Sequence, residues 1–393
     1  MSPGFDRVVI LADESANWKV GGLRQLDRLV LALDELAHLI SSQRKIDVFI
    51  FWRPDIPKEE QWQPKNSRLT RIEFVQVMKV GAPERLLNTR MLVRRRGLEQ
   101  FLADAVLLEN DPGLGDEFAV WSKLWTAVET KAQNDSPRET SQYLVTQHEV
   151  GRSEEWLLRG SGKTRDGFVS RYLNRPLSRA VSRVLLRTPM TPNVWTWLIL
   201  IFPLIGFLLF IRGDYLGFSI GAALFHVHSI LDGCDGEIAR AKYLDSEKGP
   251  GIDAIGDLIS LLLFSIGLGF GLFRAAHDQG ISHWLFLIEG ILTAVFIASR
   301  LGPDHVLDLL RRGPAAVVST QNDDRLRRAG GEFLGNWFTS WAFELTKRDV
   351  VFFAFLIMAL LGLARWILHL LFVYAFATLL LSMRGRAERD KRR

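Results

Sequence analysis

The chain has very little cysteine: Cys234 is the only one in 393 residues. No internal disulfide can form, and a zinc cage built from several thiolates is excluded. Charge of one sign is also scarce. Lys and Arg number 49 against 44 Asp and Glu, a net charge of only +5. That gives nucleic-acid binding no general electrostatic basis. Residues 7–12, RVVILA, are a short apolar run with no basic stretch before it and no cleavage site after it. No secretory leader is therefore expected. Residues 13–17, DESAN, contain no glycine. What is abundant is apolar sequence, unevenly placed. Residues 1–190 are charged and mixed, whereas 193–302 and 350–383 are strongly apolar.

Between two apolar segments runs DGCDGEIARAKYLDSEKGPGIDAIGD, residues 232–257. Asp232 and Asp235 are three apart, and Asp253 and Asp257 four apart. On helices each pair shares one face. Carboxylates at the ends of apolar segments are costly unless something neutralises them. Two such helices side by side would offer a set of hard oxygen ligands, suited to magnesium, manganese or calcium. The small residues Gly236, Ala239 and Gly249 let a ligand approach the backbone. Arg240 adds a planar fork of donors for phosphate. The combination points to phosphoryl chemistry on a diphosphate at a membrane edge. Cys234 reads as a small filler inside this stretch.

These residues fit the pattern D-x2-D-G-x2-A-R-x8-G-x3-D-x3-D at every fixed position. The stretch resembles the signature of the CDP-alcohol phosphotransferases. The resemblance implies a six-helix membrane enzyme, usually a homodimer. Such an enzyme breaks the pyrophosphate of a CDP-linked donor, releases CMP and passes the remaining substituted phosphoryl group to an alcohol or alcohol-phosphate acceptor. It also implies a divalent ion, magnesium or manganese, held by Asp232, Asp235, Asp253 and Asp257. Asp257 is the expected general base. Asp232, Gly236, Ala239, Arg240 and Gly249 are the expected nucleotide-binding residues. Arg300, Lys347 and Arg348, near helix ends on the same side, are candidate contacts for an acceptor phosphate. His226 and His228 read as packed polar residues.

Six spans are expected, at about 194–212, 215–238, 252–275, 283–301, 350–363 and 366–383, most near the ~20 residues that cross hydrocarbon. Basic residues crowd 163–187, 238–248, 311–328 and 384–393, and the alternate loops carry few. This asymmetry predicts an inner, cytoplasmic-membrane protein with both termini in the cytosol. The basic tail, residues 386–393, then meets lipid headgroups rather than nucleic acid. Before the first span, Phe168, Tyr172, Leu173, Leu177, Val181, Val184 and Leu185 recur at helical steps. Arg171, Arg175, Arg179 and Arg183 mark another face. An amphipathic helix in the headgroup plane is expected there. Its Lys-x2-Asp-Gly, Asn-Arg-x2-Ser and Thr-Pro-Asn stretches look like those of the di-myo-inositol phosphate phosphate synthase subfamily, in which a nucleotidyltransferase-like domain precedes the membrane domain.

Residues 1–150 read as a soluble α/β domain. A buried strand at 7–12, a helix at 23–39 and a second strand at 46–52 suggest a parallel sheet. Residues 18–37 are similar to the segment after the nucleotide loop of sugar-nucleotidyltransferase-like proteins. The loop itself, DESAN, has no glycine, Arg or Lys with which to cradle a triphosphate. The domain is therefore expected to keep the fold and lack catalysis. Residues 129–160 read as linker, 151–192 as linker plus interfacial helix, and 193–385 as the membrane domain. The expected function is phosphoryl transfer from a CDP-diacylglycerol or CDP-inositol type donor, in phospholipid or inositol-phosphodiester synthesis. The alternatives are a non-catalytic nucleotide- or lipid-binding membrane protein, and a bifunctional enzyme with an active cytidylyltransferase domain.

Overall fold

The computed structural model describes residues 7–40, 46–61, 72–76, 84–94, 102, 105–108, 116–134, 140–159, 167–246, 248–277, 283–299 and 347–390. The chain forms two compact units. The first comprises residues 1–161 with 186–188 and 240–243; the second comprises 162–185, 189–239 and 244–393.

The first unit is built on a five-stranded sheet. Strands β1 (Arg7–Ala12), β4 (Ile46–Trp52), β5 (Ile72–Gln76) and β6 (Glu84–Asn88) are parallel, and β8 (Val106–Leu108) adds antiparallel to β6. The spatial order is β5-β4-β1-β6-β8. Residues 8–12 are fully buried, as a strand covered on both faces must be, and this is why its sequence is apolar without alternation. Val8, Ile10 and Ala12 face Leu26, Leu29, Val30 and Leu33 of helix α1 (Gln25–Ile40). Val9 and Leu11 face Trp121, Leu124, Trp125 and Val128 of helix α2 (Glu117–Asn134).

Two expectations are corrected in this unit. The helix expected from residue 23 begins at Gln25, because Leu23–Arg24 (β3) pairs with Lys19–Val20 (β2). Gly21 and Gly22 turn this hairpin with φ of +58° and +77°, a left-handed pair that glycine adopts without steric cost. Residues 129–160 are not simply linker. They contain the end of α2, strand β9 (Ser141–Tyr143) paired with β7 (Met91–Val93), and helix α3 (Val150–Arg159). Burial of Leu157 and Leu158, and the Arg94 guanidinium over the Trp156 ring at 4.0 Å, fold the polar stretch in. Arg28, buried, donates to the carbonyls of Val20 (2.6 Å) and Ala241 (2.8 Å). Burial pulls its pKa below the ordinary arginine value.

The second unit is helical. After α4 (Arg175–Leu186) come α5 (Pro192–Ile199) and α6 (Ile201–Phe210), then α7 (Tyr215–Lys242), α8 (Gly249–Ala275), α9 (His283–Ser299), α10 (Arg348–Leu360) and α11 (Ala364–Asp390). The interruption between α5 and α6, at Leu200, falls three residues before Pro203 and directly after Ile199. Proline has no N–H to donate to the carbonyl of Ile199, so the ladder breaks there. Two stretches, Pro192–Phe210 and Gly249–Ala275, are long and apolar enough to cross a membrane, with mean hydropathies of 2.1 and 2.0. His283–Ser299 and Ala364–Leu380 are apolar but shorter.

Aromatic rings fill the centre of this unit. Phe210 stacks on Phe225 at 5.4 Å and meets Phe264 edge-on at 5.2 Å; Phe264 also packs on Phe352 at 5.5 Å and Phe355 at 5.4 Å. Helices α8 and α9 cross backbone to backbone, since a Cβ added to Gly269 would lie 2.9 Å from the Gly290 Cα. Glu289 on α9 holds His369 Nδ1 on α11 at 2.8 Å.

The amphipathic segment before α5 is wound as a π-helical turn, Ser170–Asn174, followed by α4. Phe168, Tyr172, Leu173, Leu177 and Val184 are exposed, whereas Asn174, Ser178 and Ser182 are buried. Those five apolar residues thus point away from the unit's interior, whereas Leu185 of the same stripe is buried and Val181 packs beside it. Arg175 departs from the expected basic outer face. It turns inward to the buried Glu237, Nη1 to Oε1 at 3.0 Å.

Candidate active site

Helix α7 carries Asp232, Asp235, Gly236, Ala239 and Arg240; helix α8 begins at Gly249 and carries Asp253 and Asp257. The turn between them is tight. Tyr243 adopts φ of +53° and Leu244 N donates to Ala239 O at 2.8 Å. This reversal brings the three- and four-residue spacings face to face. One carboxylate oxygen each of Asp232, Asp235 and Asp253 lies within 4.8 Å of the others. Asp257 joins through a cation: the guanidinium of Arg348, the first residue of α10, pairs with both Asp232 and Asp257. An all-oxygen carboxylate set suits magnesium or manganese, so the residues fit the divalent ion that the motif implies.

Side chains outside the motif hold the set in place. Thr196 Oγ1 on α5 donates to Asp235 Oδ2 at 2.8 Å. Glu237, at a free position of the motif, is fixed by Arg175 and by Ser178 Oγ at 2.9 Å. Sequence reading missed Thr196, Arg175 and Ser178 as supports. The one available signal was the buried-helix context of an acidic residue at 237. Ala239 is buried. Arg348, expected only as an acceptor contact, lies against the aspartates themselves. Arg300 falls outside the described residues. His228 Nδ1 is 3.5 Å from Ser260 Oγ, and His226 packs on the Phe353 ring at 5.5 Å.

The first unit has its own crevice position, where β4 and β6 leave β1 in opposite directions. Ligands bind beyond the carboxyl ends of strands at such points. There Asp13 is buried and accepts from Ser15 N (2.9 Å), Thr89 Oγ1 (3.2 Å) and Arg90 Nη2 (2.9 Å). Arg90 and Arg53 also pair with Glu14. The expected nucleotide loop is instead a 3-10 turn, Glu14–Asn17, capped by Asp13.

Comparison with known proteins bears on the aspartate motif. Residues 189–321 match the family described as CDP-alcohol phosphatidyltransferase. Three curated relatives are each named bifunctional IPC transferase and DIPP synthase. The protein of Thermococcus kodakarensis is 35% identical over 127 residues, 30% of this chain and 28% of that protein. That of Archaeoglobus fulgidus is 34% identical over 145 residues, 36% of this chain and 25% of that protein. That of Rubrobacter xylanophilus is 37% identical over 126 residues, 32% of this chain and 28% of that protein. The matched part of the chain spans about a quarter of each relative's length. Residues 189–321 thus match the CDP-alcohol phosphatidyltransferase family over the stretch that holds every fixed motif position and brings the aspartates of both helices together.

Proposed function

We propose that the chain is a membrane CDP-alcohol phosphotransferase acting in phospholipid or inositol-phosphodiester synthesis. One observation carries the reading: carboxylates from two helices converge at Asp232, Asp235 and Asp253, with Asp257 tied in by Arg348. When bound, a divalent ion, magnesium or manganese, neutralises the pyrophosphate and favours in-line attack. Asp232, Asp235 and Asp253 hold it, with Asp257 as a further ligand. Arg240 grips the donor phosphates. Gly236, Ala239 and Gly249 leave room for the cytidine and its ribose, beside Asp232. Asp257 takes the proton from the acceptor hydroxyl. The acceptor oxygen bonds to the distal phosphorus, the bridging P–O bond breaks, and CMP leaves with the bond's electrons.

The relatives' names favour an inositol-phosphate acceptor or donor. In the first unit, Asp13 and Arg90 are committed to each other, which supports a non-catalytic role for the domain at residues 1–150. Purified full-length protein should release CMP from CDP-diacylglycerol or CDP-inositol when offered alcohol phosphates. Failure with every donor and acceptor in such a panel would sink the reading. The same preparation, given CTP and inositol phosphate, should release no pyrophosphate above background. Release would make the chain bifunctional.

The proposed topology has six crossings, an interfacial helix within residues 151–192, a membrane domain at 193–385 and a cytosolic basic tail at 386–393. It is supported by the apolar helices of the second unit and by the basic-loop asymmetry. A homodimer surrounded by lipid is the proposed assembly. Single cysteines at Asp214 and Arg389, in a Cys234→Ser background, test the arrangement. In intact cells an impermeant thiol reagent should label only the cysteine at Asp214. Labelling at Arg389 would put the carboxyl end outside and contradict an even number of spans.

A further inference from the structure

Arg348 lies outside the motif, yet its guanidinium reaches aspartates on both motif helices, Asp232 on α7 and Asp257 on α8. Asp232 has two demands on it. It belongs to the trio whose oxygens lie within 4.8 Å of one another, and it is also an acceptor for Arg348. Formal charge separates the two occupants. One guanidinium offsets a single negative charge of the four aspartates. One divalent ion offsets two, and a pair of ions offsets all four, leaving Arg348 with no carboxylate charge to answer. Two cations drawn to the same oxygens at short range repel each other strongly in a partly buried setting.

The backbone beneath Arg348 is fixed. Asp349, its neighbour, accepts from Ser170 N at 2.7 Å, and Val351 N donates to Lys347 O at 3.0 Å. The start of α10 is therefore tied to the amphipathic segment, and exchange of partners falls to the long arginine side chain.

We infer that Arg348 is the exchangeable counter-cation of the aspartate cluster. Its guanidinium and the divalent ion compete for Asp232 and Asp257, and ion entry releases Arg348 toward substrate phosphate. This rests on the divalent-ion reading above. It makes Arg348 a positioning residue that keeps the carboxylates together before the ion arrives. A permanent strut predicts the opposite sign: removing it would loosen the ligand set and weaken ion binding.

Titration of full-length protein with manganese, with free ion followed by electron paramagnetic resonance, distinguishes the two. Arg348→Gln should bind manganese at least about tenfold more tightly than the wild type, by removing a competing cation. Without added ion it should melt at a lower temperature than the wild type, and saturating manganese should close that gap. Arg348→Lys, which keeps the charge but cannot fork across two carboxylates, should fall between the two in affinity. Unchanged or weaker manganese binding in Arg348→Gln overturns the exchange. Should that variant fail to fold, unchanged or weaker binding in Arg348→Lys does the same. Absence of binding in the wild type and both variants would sink the divalent-ion reading and the exchange with it. Wild-type binding that ignores Arg348 sinks only the exchange.

Discussion

Asp257→Asn should lower turnover by about 10²- to 10⁴-fold, the usual range for losing a positioned general base. Affinity for the CDP-linked donor should change by less than about threefold. Asparagine keeps the shape of the side chain and an oxygen that Arg348 can still meet. What it cannot do is take a proton from the acceptor hydroxyl. That proton moves only as the new P–O bond forms, so the deficit belongs to the transition state and should appear in kcat. Steady-state kinetics alongside calorimetric titration with a non-transferable donor analogue separate the two quantities. Turnover near the wild-type value would remove Asp257 as the base. A parallel collapse of donor binding would recast it as an ion ligand only.

A comparable loss is expected from Asp235→Ala, by a different route. Asp235 contributes an oxygen to the trio and is oriented by the Thr196 hydroxyl. Deleting it removes a hard ligand from a set with few to spare. Saturable manganese binding should disappear by calorimetry, and CMP release should fall by at least about 10³-fold, the scale of charge stabilisation in phosphoryl transfer. Thr196→Val removes only the orienting hydrogen bond. Its manganese affinity should drop by about 10- to 100-fold, as is usual when the partner of a metal ligand is lost. Retained stoichiometric binding in Asp235→Ala would show that the ion sits elsewhere. Equal affinities for Thr196→Val and wild type would reduce Thr196 to packing.

The parts of this molecule that were legible in the sequence are those set by local pattern. Residues 8–12 and 48–52 are apolar without alternation, as a strand buried on both faces requires, and the two strands pair in parallel. The aspartate spacings are three and four, so a helix alone aligns them, and a short turn suffices to oppose them. What escaped depends on distant segments. Arg348 reaches Asp232 across 116 positions of sequence, and no periodicity signals that encounter. Helix α3 was illegible for another reason. VGRSEEWLLR is half polar and short, and it is tertiary burial of Leu157 and Leu158 that holds it as a helix. The hairpin at residues 19–24 did carry its signal, the Gly21-Gly22 pair, but the helical pattern downstream overshadowed it. Arg175 followed the arginine stripe of its helix in sequence, yet buried Glu237 drew it inward.

The phenylalanine cluster has a mechanical consequence. Phe225, Phe264 and Phe352 each sit one to two helical turns from an aspartate or from Arg348, on the same three helices, α7, α8 and α10. Beyond them, Phe210 lies against Gly221, where an added Cβ would come 2.5 Å from the ring, and Gly269 meets Gly290 across α8 and α9. Rings keyed into glycine notches resist sliding, because any shift forces side chain onto backbone. Helices α7 and α8 are thus pinned at one end like the blades of a pair of tweezers, while α10 is held at its start as well, by the Asp349–Ser170 contact. Spreading is confined to the tips, where the carboxylates are, and a few degrees of splay there alters the ligand geometry while the pinned end stays still.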